Sequence, residues 1–247
     1  MDATERVEGV RGTQIIGILS DAHGNIEAFQ AAISHLRGLG VKSFYFLGDA
    51  VGYIPSPEVI RVLYSMGEEV KCVFGNHEQL MLQGGTTPGR ELIYQHKLVL
   101  GALSISEIDF IRSWPSHRRE IVSGVSVLFV HGSPSDHTNG YVYPDTDLSQ
   151  FSHADSFVFM GHSHYAFVRN SNGTTFVNVG SCGLPRDDGR YGSFATFKPE
   201  RKTVEVYRFA IDGFVSDLGE HSINAIHPSV LRVFQRRKDN VYATSFN

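Results

Sequence analysis

The chain has 247 residues, enough to bury one substantial hydrophobic core, so we predict a single domain over residues 13–247 with a disordered segment at 1–12. Its formal net charge of −4 argues against broad contact with the phosphate backbone of a long nucleic acid. Hydrophobic residues make up 41% of the chain, but no apolar run approaches the roughly 18 residues of a membrane span. The N-terminal residues include acidic side chains and lack an apolar leader, so we expect a cytoplasmic protein with no membrane partner.

The first half of the chain alternates predicted strands with predicted helices. Short apolar runs that end in Asp21 and Asp49 predict buried strands, and an apolar stripe with helical spacing follows Asn25, which is placed to cap a helix. Alternation of this kind indicates βαβ units, in which ligands bind beyond the carboxyl ends of the strands. The predicted strands span 13–21, 42–49 and 69–78, and the predicted helices span 25–40 and 56–67 with a helical turn at 77–83.

The second half has a different pattern. Residues 91–113 are predicted to be helical, with Ser104 or Ser106 as a cap. Beyond Pro115 the apolar runs become short and often alternate, with turn residues between them, which predicts a second β-sheet. A last helix is expected within 226–237, covering one of the sheets.

Cysteine usage is sparse. Cys72 and Cys182 are far apart in the sequence and do not suggest a disulfide framework, so we expect both thiols to be reduced. Sulfur is also absent from the motifs described next, which disfavours a structural zinc site of the cysteine type.

Five short glycine-containing motifs follow predicted strands and carry Asp, Asn or His. These side chains offer the nitrogen and oxygen ligands that hard and borderline cations bind, and glycine lets the backbone turn sharply beside them. In extended backbone His162 and His164, two residues apart, would share one face. A polar turn explains any single motif, whereas the ordered set indicates a site. The motifs are SDAHGN at 20–25, LGD at 47–49, FGNHE at 74–78, VHG at 130–132 and GHSH at 161–164.

This ordered set resembles the signature of the calcineurin-like metallophosphoesterases, which runs D-x-H, G-D, G-N-H-E or G-N-H-D, a separate H, and G-H-x-H. The resemblance covers residues 13–209. It implies an α/β fold, a four-layer α/β/β/α sandwich of two mixed β-sheets flanked by helices. It also implies two divalent metal ions, with manganese as the first candidate and Fe, Zn, Ni or Co as alternatives.

The resemblance also implies a role for each motif residue. Asp49 would bridge the two metals, and His77, which holds neither of them, would stabilise the transition state or protonate the leaving oxygen. Packing at the start of a helix is the alternative explanation of His77. The first metal would take Asp21, His23 and His164, and the second would take Asn76, His131 and His162.

The implied activity is that of a phosphoesterase, and a phosphodiesterase in particular, in which hydroxide bridging the metals attacks phosphorus in line. Tyr53 stands where the protein phosphatases and diadenosine tetraphosphatases of the superfamily have arginine, and Gly52 where the protein phosphatases have an acidic residue. GDAVGY and the stretch at 178–188 are similar instead to small bacterial phosphodiesterases. A phosphomonoesterase, a phosphoprotein phosphatase and a non-catalytic scaffold of the same fold remain alternatives.

Two further residues are candidates for contact with a phosphate group. The guanidinium of Arg186 suits phosphate oxygens, and Asn25 lies at the start of a predicted helix, where the helix dipole favours an anion. An ion pair from Arg186 to Asp187 or Asp188 is an equal alternative, and capping alone explains Asn25.

The loop at 133–147 follows His131 and is rich in polar and aromatic side chains. We expect it to line the pocket for a small phosphorylated substrate such as a nucleotide. His137, Tyr141 and Tyr143 are the candidates within it.

Overall fold

The structure is a computed structural model that describes residues 14–151, 154–211, 213, 225–238 and 240–246. In this part of the chain two mixed β-sheets pack face to face, which confirms the predicted α/β sandwich. The disorder expected at 1–12 lies outside the described residues. Each helix in the described part is too short or too polar to cross a lipid bilayer.

Eleven strands occur in the described residues. They form a six-stranded sheet of order β11-β10-β9-β1-β2-β3 and a five-stranded sheet of order β4-β5-β6-β8-β7. The strands are β1 (Ile16–Leu19), β2 (Ser43–Phe46), β3 (Val70–Cys72), β4 (His117–Val122), β5 (Val125–Val130), β6 (Phe157–Met160), β7 (Phe167–Ser171), β8 (Thr174–Asn178), β9 (Tyr191–Lys198), β10 (Thr203–Ala210) and β11 (Ser245–Phe246).

Strand direction in the sheets follows from the connections. β1, β2 and β3 are parallel, as expected for strands joined by helices, and β5, β6 and β8 are also parallel. β7 and β8 form an antiparallel hairpin whose turn contains Asn172 and Gly173, both at positive φ. Parallel neighbours bring their carboxyl ends to one edge of each sheet, where the five motifs lie.

The α-helices of the described residues match the predicted helical segments. The region at 91–113 divides into separate helices, because Gln95 adopts a left-handed conformation (φ 55°) and ends the first of them. Ser104 caps the last of them in a capping box with Glu107. The helices are α1 (Ile26–Gly38), α2 (Glu58–Met66), α3 (Asn76–Leu82), α4 (Pro88–Tyr94), α5 (His96–Ala102), α6 (Ile105–Arg112) and α7 (Pro228–Phe234).

Apolar side chains alternate between the two faces of the six-stranded sheet. Phe44 and Phe46 pack against the helices, whereas Tyr45 between them enters the layer between the sheets. Its ring stacks on Phe129 of the other sheet with centroids 3.8 Å apart. The free thiols of Cys72 and Cys182 are both buried, which agrees with the expectation that they are reduced.

The outer face of the five-stranded sheet is covered differently from the expected helical layer. Val142, Leu148 and Phe151 pack on it, and the ordered element among them is a single 3-10 turn at Leu148–Gln150. The described residues of this connection between β5 and β6 form no α-helix. The α-helices of the described residues lie before β4 or after β10 in the chain, and their buried side chains pack on the six-stranded sheet instead.

Candidate metal centre

The structure brings the five motifs together just beyond the carboxyl ends of β1, β2, β3, β5 and β6. Three overlapping groups of possible metal ligands share this position, and within each group the candidate atoms lie within 4.8 Å of one another. The first consists of Asp21, His23 and His164, the second of Asp49, His131 and His162, and a third joins His77 to His23 and Asp49. All seven predicted metal ligands belong to this assembly, and all but Asn76 are buried. They are Asp21, His23, Asp49, Asn76, His131, His162 and His164.

The first group consists of Asp21, His23 and His164. The Nε2 atom of His164 lies 3.1 Å from Asp21 Oδ1 and 3.1 Å from His23 Nε2. The Nε2 atom of His23 is 3.6 Å from the same carboxylate oxygen. Three ligand atoms therefore converge on one point, although their residues are up to 143 positions apart in the sequence.

Backbone carbonyls orient the two rings of this group. His23 Nδ1 lies 3.0 Å from the Val51 oxygen, and His164 Nδ1 contacts the Leu184 oxygen. A carbonyl accepts hydrogen bonds only, so each Nδ1 must carry the proton and each Nε2 presents a lone pair to the centre. This arrangement of ring and carbonyl is the usual support of a metal-binding histidine.

The second group contains His131 and His162, shares Asp49 with its surroundings, and lies beside Asn76. His131 Nε2 lies 3.0 Å from His162 Nδ1 and 3.1 Å from Asn76 Oδ1. His131 Nδ1 donates to the Leu47 oxygen at 2.7 Å, so its Nε2 faces the centre as in the first group. His162 is oriented the other way, because its Nε2 donates to the Asn139 oxygen at 3.2 Å and its Nδ1 points inward.

Asp49 lies between the two groups. Its Oδ2 atom is 3.3 Å from His131 Nε2 and 3.8 Å from His23 Nε2. Its other oxygen, Oδ1, accepts the backbone N–H of His77 at 2.9 Å, which fixes the carboxylate plane. The position suits the predicted bridging role, and the role itself stays a prediction.

Backbone strain is concentrated in these motifs. His162 and His164 have φ values of 63° and 61°, so the extended backbone expected for this pair is not what the chain adopts. The left-handed conformation turns the two rings apart, one toward each group. Asp21, His23 and Asp49 share this conformation, with φ between 50° and 58°. For a residue with a side chain it costs about 1–3 kcal/mol, and such strain is typical of functional sites.

A buried carboxylate holds the strand ends in register. Glu78 accepts the backbone N–H groups of Gly75 at 3.0 Å, Asp49 at 2.8 Å and Ala50 at 2.7 Å. Burial and the neighbouring charge of Asp49 raise the pKa of Glu78 to about 7. Gly75 is required here, since a Cβ on it would lie 2.2 Å from Asp49 Oδ1. The sequence gives Glu78 only as part of the FGNHE motif, without this role.

The electrostatics of the centre favour a cation. Burial lowers the pKa of His131, but the carboxylate of Asp49 outweighs that effect and raises the pKa to about 9. Burial, together with the neighbouring His131, lowers the pKa of His162 to about 4. Asp21 Oδ1 is buried without a hydrogen-bond partner among the described residues. An oxygen in that position is stabilised by a metal ion, so the donor set fits divalent cations.

His77 lies beside the centre. Its ring centroid is 4.9 Å from that of His23, and its Nδ1 is 3.0 Å from Nε2 of His96 at the start of α5. Burial lowers the pKa of His77 well below its usual value, so the ring is neutral near pH 7. We did not predict a role for His96, because one histidine within a helical segment carries no motif or periodic signal.

Arg186 reaches the edge of the centre through Tyr53. Its Nη2 donates to the Tyr53 hydroxyl at 2.8 Å, and the Tyr53 ring lies 4.8 Å from the ring of His23. The alternative ion pairs are not formed, because Asp187 binds Arg208 and Asp188 binds Arg190.

Both the oxygen and the nitrogen of the Asn25 side-chain amide form hydrogen bonds within the protein. Its Oδ1 accepts the Ala28 N–H at 3.2 Å, which caps α1, and its Nδ2 donates to the Gly183 oxygen at 2.9 Å. The capping explanation therefore accounts for its contacts. The predicted contact with phosphate stays untested.

The loop at 133–147 covers the second group. Tyr141 lies over His162 with ring centroids 4.0 Å apart, and Tyr143 is parallel to Tyr141 at 5.7 Å. His137 instead packs on His117 of β4, with centroids 4.2 Å apart. Of the three candidates in this loop, Tyr141 therefore lies on the centre, and Tyr143 lies next to it on Tyr141.

The sequence and the fold are both similar to those of known proteins. A family model described as the calcineurin-like phosphoesterase superfamily domain matches residues 15–202. An uncharacterised protein of Methanocaldococcus jannaschii is 30% identical, over 80% of this chain and 88% of its own. The fold is similar to that of a hypothetical protein from Pyrococcus horikoshii OT3 (TM-score 0.74, 18% identity, 89% of this chain and 97% of that one). It is also similar to a metallophosphoesterase from Sphaerobacter thermophilus (TM-score 0.71, 23% identity, 90% and 98%).

Proposed function

We propose, from the premise that this chain belongs to the calcineurin-like phosphoesterase superfamily, that it is a metal-dependent phosphodiesterase acting on a small substrate such as a nucleotide. The observation that carries the proposal is the assembly of seven candidate ligands, six of them buried, around Asp21 Oδ1, an oxygen with no hydrogen-bond partner among the described residues. Unrelated polar turns would not explain this assembly, because burying so many polar and charged side chains without a bound ligand costs free energy.

The assembly has the composition of a site for two divalent ions. Asp21, His23 and His164 would hold one ion and Asn76, His131 and His162 the other, with Asp49 shared. When bound, such ions stabilise charge on phosphoryl oxygens and lower the pKa of water so that hydroxide is available near neutral pH. Nitrogen and oxygen ligands suit Mn²⁺, our first candidate, as well as Fe, Zn, Ni and Co.

The chain's own residues have complementary roles. His77 lies against the centre and stabilises the negative charge that develops as the ester bond breaks, or protonates the leaving oxygen. Arg186, directed toward the centre by the ion pairs of the two aspartates after it, orients a phosphate oxygen. The neighbouring Tyr53 hydroxyl accepts from Arg186 and so fixes the guanidinium.

A diester suits this setting better than a monoester. The side chains described around the centre include the guanidinium of Arg186 together with the aromatic rings of Tyr53, Tyr141 and Tyr143. A phosphodiester has two organic arms, and the aromatic rings beside the centre offer contact surface for the second arm, which a monoester lacks.

The test is hydrolysis of bis-p-nitrophenyl phosphate beside p-nitrophenyl phosphate. The full chain is stripped with a chelator and resupplied with Mn²⁺, Zn²⁺, Ni²⁺, Co²⁺ or Fe²⁺ one at a time. We expect metal-dependent cleavage of the diester, lost in His164→Ala and kept in the control His117→Ala. His117 is a histidine of β4 that contacts His137 rather than the centre.

Other results would point elsewhere. Preference for the monoester would contradict the diester assignment and favour a phosphatase. Absence of cleavage with every metal would contradict the enzyme assignment and favour a non-catalytic scaffold. Equal activity in His164→Ala and His117→Ala would place the reaction outside this centre.

A further inference from the structure

Two buried histidines meet beside the metal centre without belonging to the predicted ligand set. His77 Nδ1, at the start of α3, lies 3.0 Å from His96 Nε2, at the start of α5. Their side chains are 3% and 0% exposed. Tyr94 packs edge-on to His77 with centroids 4.7 Å apart and also contacts His96. The pair is thus held by packing as well as by its hydrogen bond.

A hydrogen bond between two neutral imidazoles contains one proton, which belongs to one ring or the other. If His77 Nδ1 donates, its Nε2 presents a lone pair and cannot donate to a substrate. If His96 Nε2 donates, His77 Nδ1 accepts and the proton of His77 resides on Nε2. The two arrangements give His77 opposite chemistry.

The surroundings of His96 decide between the two arrangements. His96 Nδ1 is buried and has no hydrogen-bond partner among the described residues. The nearby carboxylate of Glu91 accepts the Lys97 N–H at 2.7 Å through Oε1, and its Oε2, which is also buried without a hydrogen-bond partner among the described residues, makes no described hydrogen bond to the ring. A buried lone pair without a partner is tolerated more often than a buried N–H without one. His96 is therefore favoured with its proton on Nε2, donating to His77.

Gly52 excludes other partners from this side of His77. Its φ is +91°, and a Cβ on it would lie 2.1 Å from His77 Nδ1. No side chain at position 52 can therefore share Nδ1 with His96. The tautomer of His77 depends on the residue at position 96.

We propose that His96 is a positioning residue that holds His77 as its neutral Nε2–H tautomer, making His77 a hydrogen-bond donor to an oxygen of the phosphodiester. The proposal rests on the proposed function for the identity of the acceptor. No proton transfer is involved, since His77 keeps its proton and stabilises developing charge by donation alone. A neutral donor of this kind is effective when it is pre-oriented in a site that excludes water.

The direct test is the tautomer itself. Full-length protein labelled with ¹⁵N-histidine is loaded with Zn²⁺, which is diamagnetic, and long-range ¹H–¹⁵N correlation spectra are recorded. Loss of signals in His77→Ala and in His96→Gln assigns the two rings. We expect Nε2 protonated and Nδ1 unprotonated in both. A proton on His77 Nδ1 would overturn the proposal.

A matched pair of variants tests the consequence. The amide of His96→Gln can donate from about the position of the ring Nε2, whereas His96→Met has similar length and no donor. We expect His96→Gln to retain most of the turnover number for the diester, and His96→Met to lose about 10- to 100-fold. KM and metal content should be unchanged in both, and thermal unfolding checks that both variants fold.

Equal turnover in the two variants would contradict a role for the donor, because a packing role accepts either side chain. The two proposals also fail separately. If the wild-type protein cleaves no diester with any metal, the proposed function fails while the spectra still determine the tautomer. If the diester is cleaved but His77 carries its proton on Nδ1, the proposed function stands and His96 is not its determinant.

Discussion

The two halves of the centre differ in what holds them. In the group of Asp21, His23 and His164 each side chain is at most 2% exposed, and the rings are tied to carbonyls of Val51 and Leu184. In the second group His131 is tied to the end of β2 through Leu47, but His162 is tied to Asn139 of the loop at 133–147.

This difference separates two tasks that one site must perform. Elements next to the core fix the first half, so its geometry is set by the fold. The loop that orients His162 also carries Tyr141, which is 50% exposed and lies over the His162 ring. Changes in such a loop alter what can approach the site at little cost to the fold. We therefore expect metal affinity to depend on the first half and substrate selectivity on the second.

Asp49→Asn should have the largest effect, because Asp49 is the residue that the two halves share. Replacing its carboxylate with a neutral amide removes charge next to both groups. We expect loss of both metals, measured by elemental analysis after dialysis, together with loss of diester cleavage. Asp109→Asn, at an exposed carboxylate of α6, is the control. Full occupancy by two ions would exclude a shared ligand, and retention of one ion would show that the halves bind independently.

His77→Ala should leave both halves loaded and still reduce turnover. The ring lies beside the centre, and the ligand side chains do not depend on it for hydrogen bonds, although its backbone N–H binds Asp49 and is kept in the variant. We expect a loss of about 10²- to 10⁴-fold in kcat, the range for a donor or acid acting on the transition state. Metal content and kcat are measured on the same preparation. Unchanged kcat would remove His77 from the mechanism.

Gly52→Ala tests the alignment of His77 through a smaller change. The matched control is Gly84→Ala, since φ is +91° at Gly52 and +95° at Gly84, but only at Gly52 would the new Cβ meet His77. Both variants should lose about 1 kcal/mol or more in the free energy of unfolding from backbone strain. Turnover should fall by about 10- to 100-fold in Gly52→Ala alone, because a displaced ring is poorly aligned. Equal turnover in the two variants would mean that His77 tolerates displacement.

Tyr143→Ala should have the smallest effect, and it tests the loop at 133–147. We expect KM for bis-p-nitrophenyl phosphate to rise by about 2- to 10-fold, the loss of one aromatic contact of about 0.5–1.5 kcal/mol. Metal content and kcat should not change. Tyr64→Ala is the control, because Tyr64 is similarly exposed but lies on α2 against Phe110. A lower metal content in Tyr143→Ala would contradict the division of tasks between the halves.

The sequence predicted the convergence of the ligands because each motif directly follows a strand. Parallel strands bring such positions to one edge of the sheet, so the βαβ order places Asp21, Asp49 and Asn76 next to one another. The convergence of the seven predicted ligands therefore needed no knowledge of loop conformation, whereas the opposite directions of His162 and His164 depend on their left-handed backbone.

Other features had no such signal. His77 and His96 pair across 19 residues between two short helices, and neither periodicity nor motif spacing encodes a contact of that kind. The direction of Arg186 depended on which arginines bind Asp187 and Asp188, a choice made by tertiary packing. The layer over the five-stranded sheet is irregular, so apolar periodicity could not define it.

The place of β1 in its sheet has a consequence for biogenesis. β1, which leads directly to Asp21, is bordered by β2 on one edge and by β9 on the other. The backbone of Asp21 also accepts the N–H of Gly183. On the ribosome, a nascent chain that has not yet reached residue 198 leaves one edge of β1 unpaired, which invites aggregation. We therefore expect metal loading to be a late event in the synthesis of this protein, and truncated chains that end before β9 to be poor metal acceptors.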